Sequence, residues 1–213
     1  MNPARKTNGV RPQRLVCFGD SITAGRSVPD QSRWTALLAI AMDSCSPAHV
    51  EIFSRGTPGS TSAEGLARFD KEIEPLLPAT VLVQFGLNDS SLLPNRAIPR
   101  VGAEEFRATI TEIARLVSLG GGKTILLTNH TVSPSRTAEN GVVVADLIAP
   151  YQESIRRLAA EGGHGLIDVE WAFRAVPEAD RGLAADGIHL DRAGHQLYSK
   201  AVLAGLQALG FPD

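Results

Sequence analysis

Short runs of apolar residues alternate along the whole chain with longer stretches in which apolar residues recur at helical spacing. Each short run has the length and continuous apolar composition of a β-strand that is buried on both faces. Five strands are predicted, at residues 15–18, 50–53, 81–85, 124–128 and 166–168. Five helices are predicted, at residues 34–41, 63–76, 103–119, 151–160 and 193–209.

The alternation of strand and helix predicts the class of fold. In the clearest helix, residues 103–119, Phe106, Ile110 and Ile113 share one face and Arg107 lies away from it. Strand–helix–strand repeats are typical of a mostly parallel sheet joined by right-handed crossovers and covered by helices. We therefore predict an α/β fold.

No composition break, Ser/Gly linker or internal repeat divides the chain. We predict one domain over residues 14–213, preceded by a flexible N-terminal tail at residues 1–13. The role of this basic tail and the oligomeric state are left open.

Composition and charge exclude several classes of protein. The chain has 213 residues, of which 43% are hydrophobic and 21% are charged, as in ordinary globular proteins. A net charge of −2 provides no bulk attraction to nucleic acid, so no nucleic-acid partner is expected. No apolar run approaches the roughly 20 residues of a membrane-spanning helix, so no integral membrane association is expected.

The N-terminus is basic and has no apolar segment of the kind found in a secretory signal, which favours a cytoplasmic protein. In that compartment the two cysteines, Cys17 and Cys45, are not expected to form a disulfide. No group of histidine, cysteine and carboxylate residues has the spacing of a metal site, so neither a metal nor another cofactor is expected.

Candidate chemistry follows the predicted strands. In a sheet of this kind the ligand crevice lies beyond the carboxyl ends of the strands. Ser21 follows the first strand across a Gly-Asp turn, Gly59 lies in the loop after the second, and Asn88 lies in the turn after the third. Residues 186–189, Asp-Gly-Ile-His, lie beyond the fifth strand. A hydroxyl, an amide, a glycine turn and an Asp/His pair are thus expected at one edge.

The Asp186 carboxylate, three residues before His189, can accept a proton from one ring nitrogen and leave the other nitrogen as a base. Taken separately, this segment is also an ordinary Asp-Gly turn, and Ser21 is also an ordinary helix N-cap. His130, at the end of the fourth predicted strand, is a candidate for contact with the substrate.

Acyl transfer also needs hydrogen-bond donors where negative charge develops on the attacked oxygen. The backbone N–H groups of Ser21 and Gly59 and the side-chain amide of Asn88 are candidates, because glycine lets a backbone N–H approach a ligand closely. Each of these turns, considered alone, is also only a turn.

Four segments resemble, in order, the sequence blocks of the GDSL or SGNH hydrolases. They are Phe-Gly-Asp-Ser-Ile-Thr at 18–23, Gly59, Gly-Leu-Asn-Asp at 86–89, and Asp-Gly-Ile-His at 186–189. The second block departs from the pattern, since Ser54 stands where asparagine is common and Ser60 where aspartate is frequent.

The resemblance implies a flavodoxin-like three-layer α/β/α sandwich with a mostly parallel five-stranded sheet, and a metal-independent serine esterase mechanism. It implies a catalytic triad and an oxyanion hole, with three supporting residues in the same blocks. The triad is Ser21, Asp186 and His189; the oxyanion hole is Ser21, Gly59 and Asn88; the supporting residues are Asp20, Gly86 and Asp89.

The expected activity is hydrolysis of a small-molecule carboxylic ester with a small or medium acyl group, through an acyl-enzyme on Ser21. Three alternatives remain open at this point: a carbohydrate O-acetylesterase, a lysophospholipase or acyl thioesterase, and a non-catalytic ligand-binding protein on the same fold. The natural acyl chain and alcohol are not predicted.

Overall fold

The computed structural model describes residues 12–45 and 49–212, which form one central sheet covered by helices. The strands are β1 (Gln13–Gly19), β2 (Val50–Gly56), β3 (Thr80–Gln84), β4 (Lys123–Leu127) and β5 (Gly165–Ile167). Their order is β2-β1-β3-β4-β5, and all four neighbouring pairs are parallel. The predicted α/β fold with a parallel five-stranded sheet is therefore confirmed.

The helices are α1 (Ser21–Ala24), α2 (Trp34–Cys45), α3 (Ser62–Ala67), α4 (Phe69–Glu72), α5 (Ala103–Leu119), α6 (Val144–Gly162), α7 (Val169–Arg174) and α8 (Arg192–Ala208). Helix α8 packs against α2 and α7, and α5 packs against α3 and α6. Short 3₁₀ turns lie at Asp30–Ser32, Glu74–Leu76 and Glu178–Asp180. No helix among the described residues is long and apolar enough to cross a bilayer.

The core explains why the strands have continuous apolar sequences. Leu15, Val16 and Phe18 of β1 are completely buried because β1 lies inside the sheet and both of its faces are covered. The Phe18 ring meets the edge of Phe85 with 5.2 Å between centroids and that of Phe69 with 6.5 Å. This packing fixes the end of β1, from which the chain enters the candidate site.

The predicted helix at 63–76 is wrong as a single element. Thr61 and Glu64 form a capping box that starts α3, but Arg68 interrupts the helix with φ −105° and ψ 5°. Its guanidinium turns inward and donates to the carbonyl at the end of β1 at 2.7 Å. Pro75 then falls in a 3₁₀ turn, because proline has no N–H with which to continue an α-helix.

Most other boundaries also differ from the predictions, whereas α5 begins and ends where it was predicted. Helix α6 begins at Val144 and continues through Pro150, although the sequence analysis started it after that proline. Strand β5 ends at Ile167, because the Asp168 side chain accepts the Trp171 N–H at 3.1 Å and caps α7.

The predicted N-terminal tail meets the described structure only at its end. Gln13, placed in the tail by the sequence analysis, is the first residue of β1. Residues 1–11 lie outside the described residues.

Candidate active site

The turn from β1 into α1 presents Ser21 at the carboxyl edge of the sheet. The Asp20 side chain accepts the Ile22 N–H at 2.9 Å and so caps α1. Ser21 is therefore the first residue of the helix, and its hydroxyl lies 2.9 Å from Nε2 of His189. These two residues are 168 positions apart in the chain and meet because the loop before α8 returns to the same edge.

Asp186 and His189 form a compact unit within that loop. Oδ2 of Asp186 lies 2.6 Å from Nδ1 of His189, and Oδ1 accepts the backbone N–H groups of Ile188 and His189 at 2.9 Å each. Burial raises the pKa of Asp186, but these hydrogen bonds outweigh it and lower the pKa to about 2. An ionised Asp186 favours a proton on Nδ1 and leaves Nε2 free to accept one from Ser21.

Two backbone N–H groups beside Ser21 have no acceptor among the described residues: that of Ser21 itself and that of Gly59. Gly59 has φ +76° in an open turn. The turn is held on both sides, because the Thr57 N–H donates to the Gly19 carbonyl at 3.0 Å and Arg100 donates to the Gly59 carbonyl at 3.0 Å. This loop can therefore offer a fixed, unpaired donor to a ligand oxygen.

The Asn88 amide lies next to this loop. Its Nδ2 donates to the Ser60 carbonyl at 3.1 Å and to the Asp20 carboxyl at 3.3 Å. Burial raises the pKa of Asp20 to about 7, although the Ile22 N–H opposes this. An oxyanion bound beside Ser21 would compete with Asp20 for the longer and weaker of the two Asn88 bonds.

The turn that carries Asn88 is clamped by Asp89, which is completely buried. One Asp89 oxygen accepts the Ser62 N–H at 2.9 Å and the Ser62 hydroxyl at 2.5 Å, and the other accepts the Gly86 N–H at 3.0 Å. Burial raises the pKa of Asp89, against the opposing effect of these bonds. Gly86 has φ +124°, a conformation that a residue with a side chain rarely adopts.

His130 lies behind the site and is not among the residues that line the cleft. It is 1% exposed, and its Nε2 lies 2.7 Å from the Ile188 carbonyl. Burial lowers the pKa of His130 to about 4, so the neutral ring can donate this hydrogen bond. The expected contact with substrate therefore does not match the structure, because the ring is enclosed by Phe173 and Tyr198 and supports the loop before His189.

A cleft of about 690 Å³ opens beside Ser21, Asn88 and His189. Its walls come from two segments: the loop at residues 87–97, and residues 136–147, which run from a second loop into the first turn of α6. Most apolar side chains of the walls are leucines: Leu87, Leu92, Leu93 and Leu147. Among the described residues, no group of three or more His, Cys, Asp or Glu side chains is placed to hold a metal ion.

Two residues that fix the donors were not predicted from the sequence. Ser62 bonds to Asp89, and a local signal existed, because the Thr61/Glu64 capping box predicts that α3 starts at Ser62. Arg100 holds the Gly59 turn from 41 positions away, and no local pattern predicts such a contact.

Parts of this chain are similar in sequence to known proteins. An arylesterase of Vibrio mimicus is 31% identical over 77 residues, which cover 36% of this chain and 38% of that protein. YqeF of Bacillus subtilis, named an uncharacterized lipoprotein, is 29% identical over 119 residues, which cover 54% of this chain and 47% of that protein. The chain thus spans less than half the length of these two relatives.

A solved structure extends the likeness over most of the chain. The crystal structure of a lipase/acylhydrolase from Enterococcus faecalis superimposes with a TM-score of 0.78 at 26% identity and covers 92% of this chain and 96% of that one. The sequence profile of the GDSL-like Lipase/Acylhydrolase family matches residues 17–197. This range includes the serine, the glycine turn, the Asn-Asp turn and the Asp/His loop described above. The chain therefore belongs to the GDSL-like lipase/acylhydrolase family.

Proposed function

We propose that this protein hydrolyses carboxylic esters of small or medium acyl groups through an acyl-enzyme on Ser21. One observation carries the proposal: an unbroken hydrogen-bonded chain runs from the Ser21 hydroxyl through the His189 ring to Asp186. A hydroxyl becomes a useful nucleophile at neutral pH when a base takes its proton during attack. The family membership independently supports hydrolase activity.

In the first half-reaction, Nε2 of His189 removes the Ser21 proton as Oγ forms a bond to the ester carbonyl carbon. Asp186 stabilises the imidazolium that results. The negative charge on the former carbonyl oxygen is met by the N–H groups of Ser21 and Gly59 and by the Asn88 amide. The C–O bond to the alcohol then breaks, and the departing oxygen takes the proton from His189.

In the second half-reaction, water replaces the alcohol. His189 takes a proton from the water as its oxygen attacks the acyl carbon, and the same donors hold the new oxyanion. The bond to Ser21 breaks, Oγ regains the proton, and the carboxylic acid is released. No group beyond those of the chain and water enters this proton balance.

The size of the cleft supports the substrate class. Its volume of about 690 Å³ falls within the roughly 300–1,000 Å³ typical of small-molecule sites. The Vibrio mimicus relative is named an arylesterase, which also supports an ester as the substrate.

The test compares Ser21→Ala with Ser154→Ala, a serine-to-alanine change in α6 away from the cleft. Hydrolysis of 4-nitrophenyl esters from acetate to palmitate is followed by absorbance, together with acetylated xylose and an acyl thioester. We expect the highest kcat/KM for acetate to hexanoate, a loss of at least about 10³-fold in Ser21→Ala, and unchanged activity in Ser154→Ala. Intact-protein mass spectrometry after fluorophosphonate treatment should show one adduct in the wild type and none in Ser21→Ala.

Retention of activity by Ser21→Ala would overturn the proposed nucleophile. A preference for palmitate or for the thioester would replace the proposed substrate class by a lysophospholipase or thioesterase. A preference for acetylated xylose would replace it by a carbohydrate O-acetylesterase. Absence of both turnover and labelling would favour a non-catalytic binding protein.

A further inference from the structure

Two arginines in the cleft have no partner for their charge. Arg96 and Arg136 both line the cavity that contains Ser21 and His189. Neither guanidinium has a hydrogen bond, ion pair or ring contact with any other residue that the structure describes. By contrast, Arg100, which lies just beyond the first wall loop, is bonded to Gly59 and Glu64.

The backbone holds each arginine within a defined loop. Arg96 lies between Leu92 and Pro99, which form an antiparallel bridge. Arg136 precedes an antiparallel bridge between Thr137 and Val143, and its carbonyl accepts the Val144 N–H at 2.9 Å. Each wall of the cleft therefore contributes one guanidinium.

The charge of the cleft is positive on balance. Glu139 also lines it, but this carboxylate forms no ion pair with Arg96, Arg136 or any other described residue. Two cations thus face one anion in a concave site, and a concave site with an excess of one charge concentrates the electrostatic field on a bound ligand. Arginine presents several N–H donors in a planar fork that matches the oxygens of carboxylates and phosphates.

We propose that Arg96 and Arg136 form an anion subsite, so that the preferred substrate is an ester that also carries a carboxylate, phosphate or sulfate group. This proposal rests on the proposed esterase function, because the subsite is placed in the same cleft as Ser21. The leucines of the walls take the apolar part of the substrate, and the arginines select the charged end. Cationic esters are disfavoured by the same field.

The test uses pairs of esters that differ in one charge. On the alcohol side, 4-acetoxybenzoate is compared with its methyl ester; on the acyl side, the 4-nitrophenyl monoester of glutaric acid is compared with 4-nitrophenyl valerate. The variant is the double substitution Arg96→Gln/Arg136→Gln. The control, Arg26→Gln/Arg192→Gln, removes the same net charge at two arginines that also lack a described partner but do not line the cleft.

We expect the wild type to prefer at least one anionic ester, measured as the ratio of kcat/KM for the charged and uncharged members. Arg96 and Arg136 are exposed, so each should account for about 2- to 5-fold of this ratio, the effect of a solvent-exposed charge pair. The cleft variant should lose the preference while its kcat/KM for the uncharged esters stays within 2-fold. A preference within the 4-acetoxybenzoate pair places the alcohol side of the ester at the arginines, and a preference within the glutarate and valerate pair places the acyl side there.

An unchanged ratio in the cleft variant, or an equal loss in the control variant, would overturn the anion subsite while leaving the esterase proposal intact. Binding of 4-acetoxybenzoate and its methyl ester to Ser21→Ala, measured by isothermal titration calorimetry, separates the two proposals further. If the wild type hydrolyses no ester, the subsite is still supported when 4-acetoxybenzoate binds more tightly than its methyl ester and this difference disappears in the cleft variant. Equal binding of the two compounds would refute the subsite.

Discussion

Replacing Asp186 by asparagine tests the orientation of His189 with almost no change of shape. The asparagine oxygen can still accept the N–H groups of Ile188 and His189, which now bond to Oδ1 at 2.9 Å. The NH₂ group, however, takes the place of Oδ2 and cannot accept the proton of Nδ1, which lies 2.6 Å away in the wild type. The ring then takes the opposite tautomer, in which Nε2 carries the proton and faces the Ser21 hydroxyl.

The expected cost is large for the rate and small for stability. A base with the wrong tautomer lowers kcat by about 10⁴-fold in a comparable triad, which corresponds to about 5 kcal/mol of transition-state free energy. The Asp186 side chain is 44% exposed, so solvent screens its pairing with His189 and the free energy of unfolding should change by less than about 1 kcal/mol. These two magnitudes distinguish a catalytic defect from a folding defect.

The assay is hydrolysis of 4-nitrophenyl acetate at pH 8, with urea unfolding measured on the same samples. Asp191→Asn is the matched control: it makes the same change five residues later, where Asp191 accepts the Gly194 N–H at 3.0 Å and caps α8. We expect its kcat to stay within 2-fold of the wild type. An Asp186→Asn protein that keeps more than a tenth of wild-type kcat would refute the role of Asp186.

Three further predictions concern the donors, the turn and a buried histidine. Asn88→Ala should lower kcat by about 10²- to 10³-fold with KM for 4-nitrophenyl acetate little changed, and full retention of kcat would contradict its role as a donor. Gly86→Ala should lower the free energy of unfolding, measured in urea, by about 1–3 kcal/mol, because φ is +124° and a Cβ would lie 3.1 Å from Nδ2 of Asn129. The control Gly102→Ala should lower it by less than about 1 kcal/mol, because φ is −65° and a Cβ there would contact no other atom. Equal losses in the two variants would refute backbone strain at Gly86. Burial lowers the pKa of His195 to about 4 from 6.5 in the unfolded chain, so the unfolded state binds its proton first and stability is lost as pH falls from 6.5 to about 4. The free energy of unfolding in urea should therefore decline from pH 7 to 5 less steeply in His195→Asn than in the wild type, by about 1 kcal/mol per pH unit, and identical slopes would argue against a buried neutral ring.

Local patterns were sufficient for the elements whose signals are local. Helix α5 was predicted with both boundaries because its apolar stripe has a regular period and glycines flank it. The sheet was predicted because strands buried on both faces need continuous apolar sequence. Helix α6 was predicted too short because the proline rule applies to an isolated helix, whereas this helix packs against α5 and β4 and continues through Pro150.

The candidate site was predictable where its residues adjoin strand ends or form contacts within a few positions. The Asp186/His189 pair is such a contact, and its spacing was visible in the sequence. The placement of His130 was not visible, because nothing near it in the chain reveals that Phe173 and Tyr198 cover its ring. Likewise, the Arg100 bond to Gly59 joins distant segments and emerges only from the packed fold. The capping box signalled locally that α3 starts at Ser62, but not that Ser62 bonds to Asp89.

The two loops that line the cleft separate substrate selection from the proposed reaction. Ser21 and Asn88, the proposed nucleophile and oxyanion donor, follow core strands, so a change in either is expected to disturb the proposed reaction itself. Each wall loop closes on its own bridge, Leu92 with Pro99 and Thr137 with Val143, before the chain returns to a helix. Substitutions in these loops can therefore change which substrates bind while Ser21 and Asn88 keep their positions, so that proteins with this fold can differ in specificity.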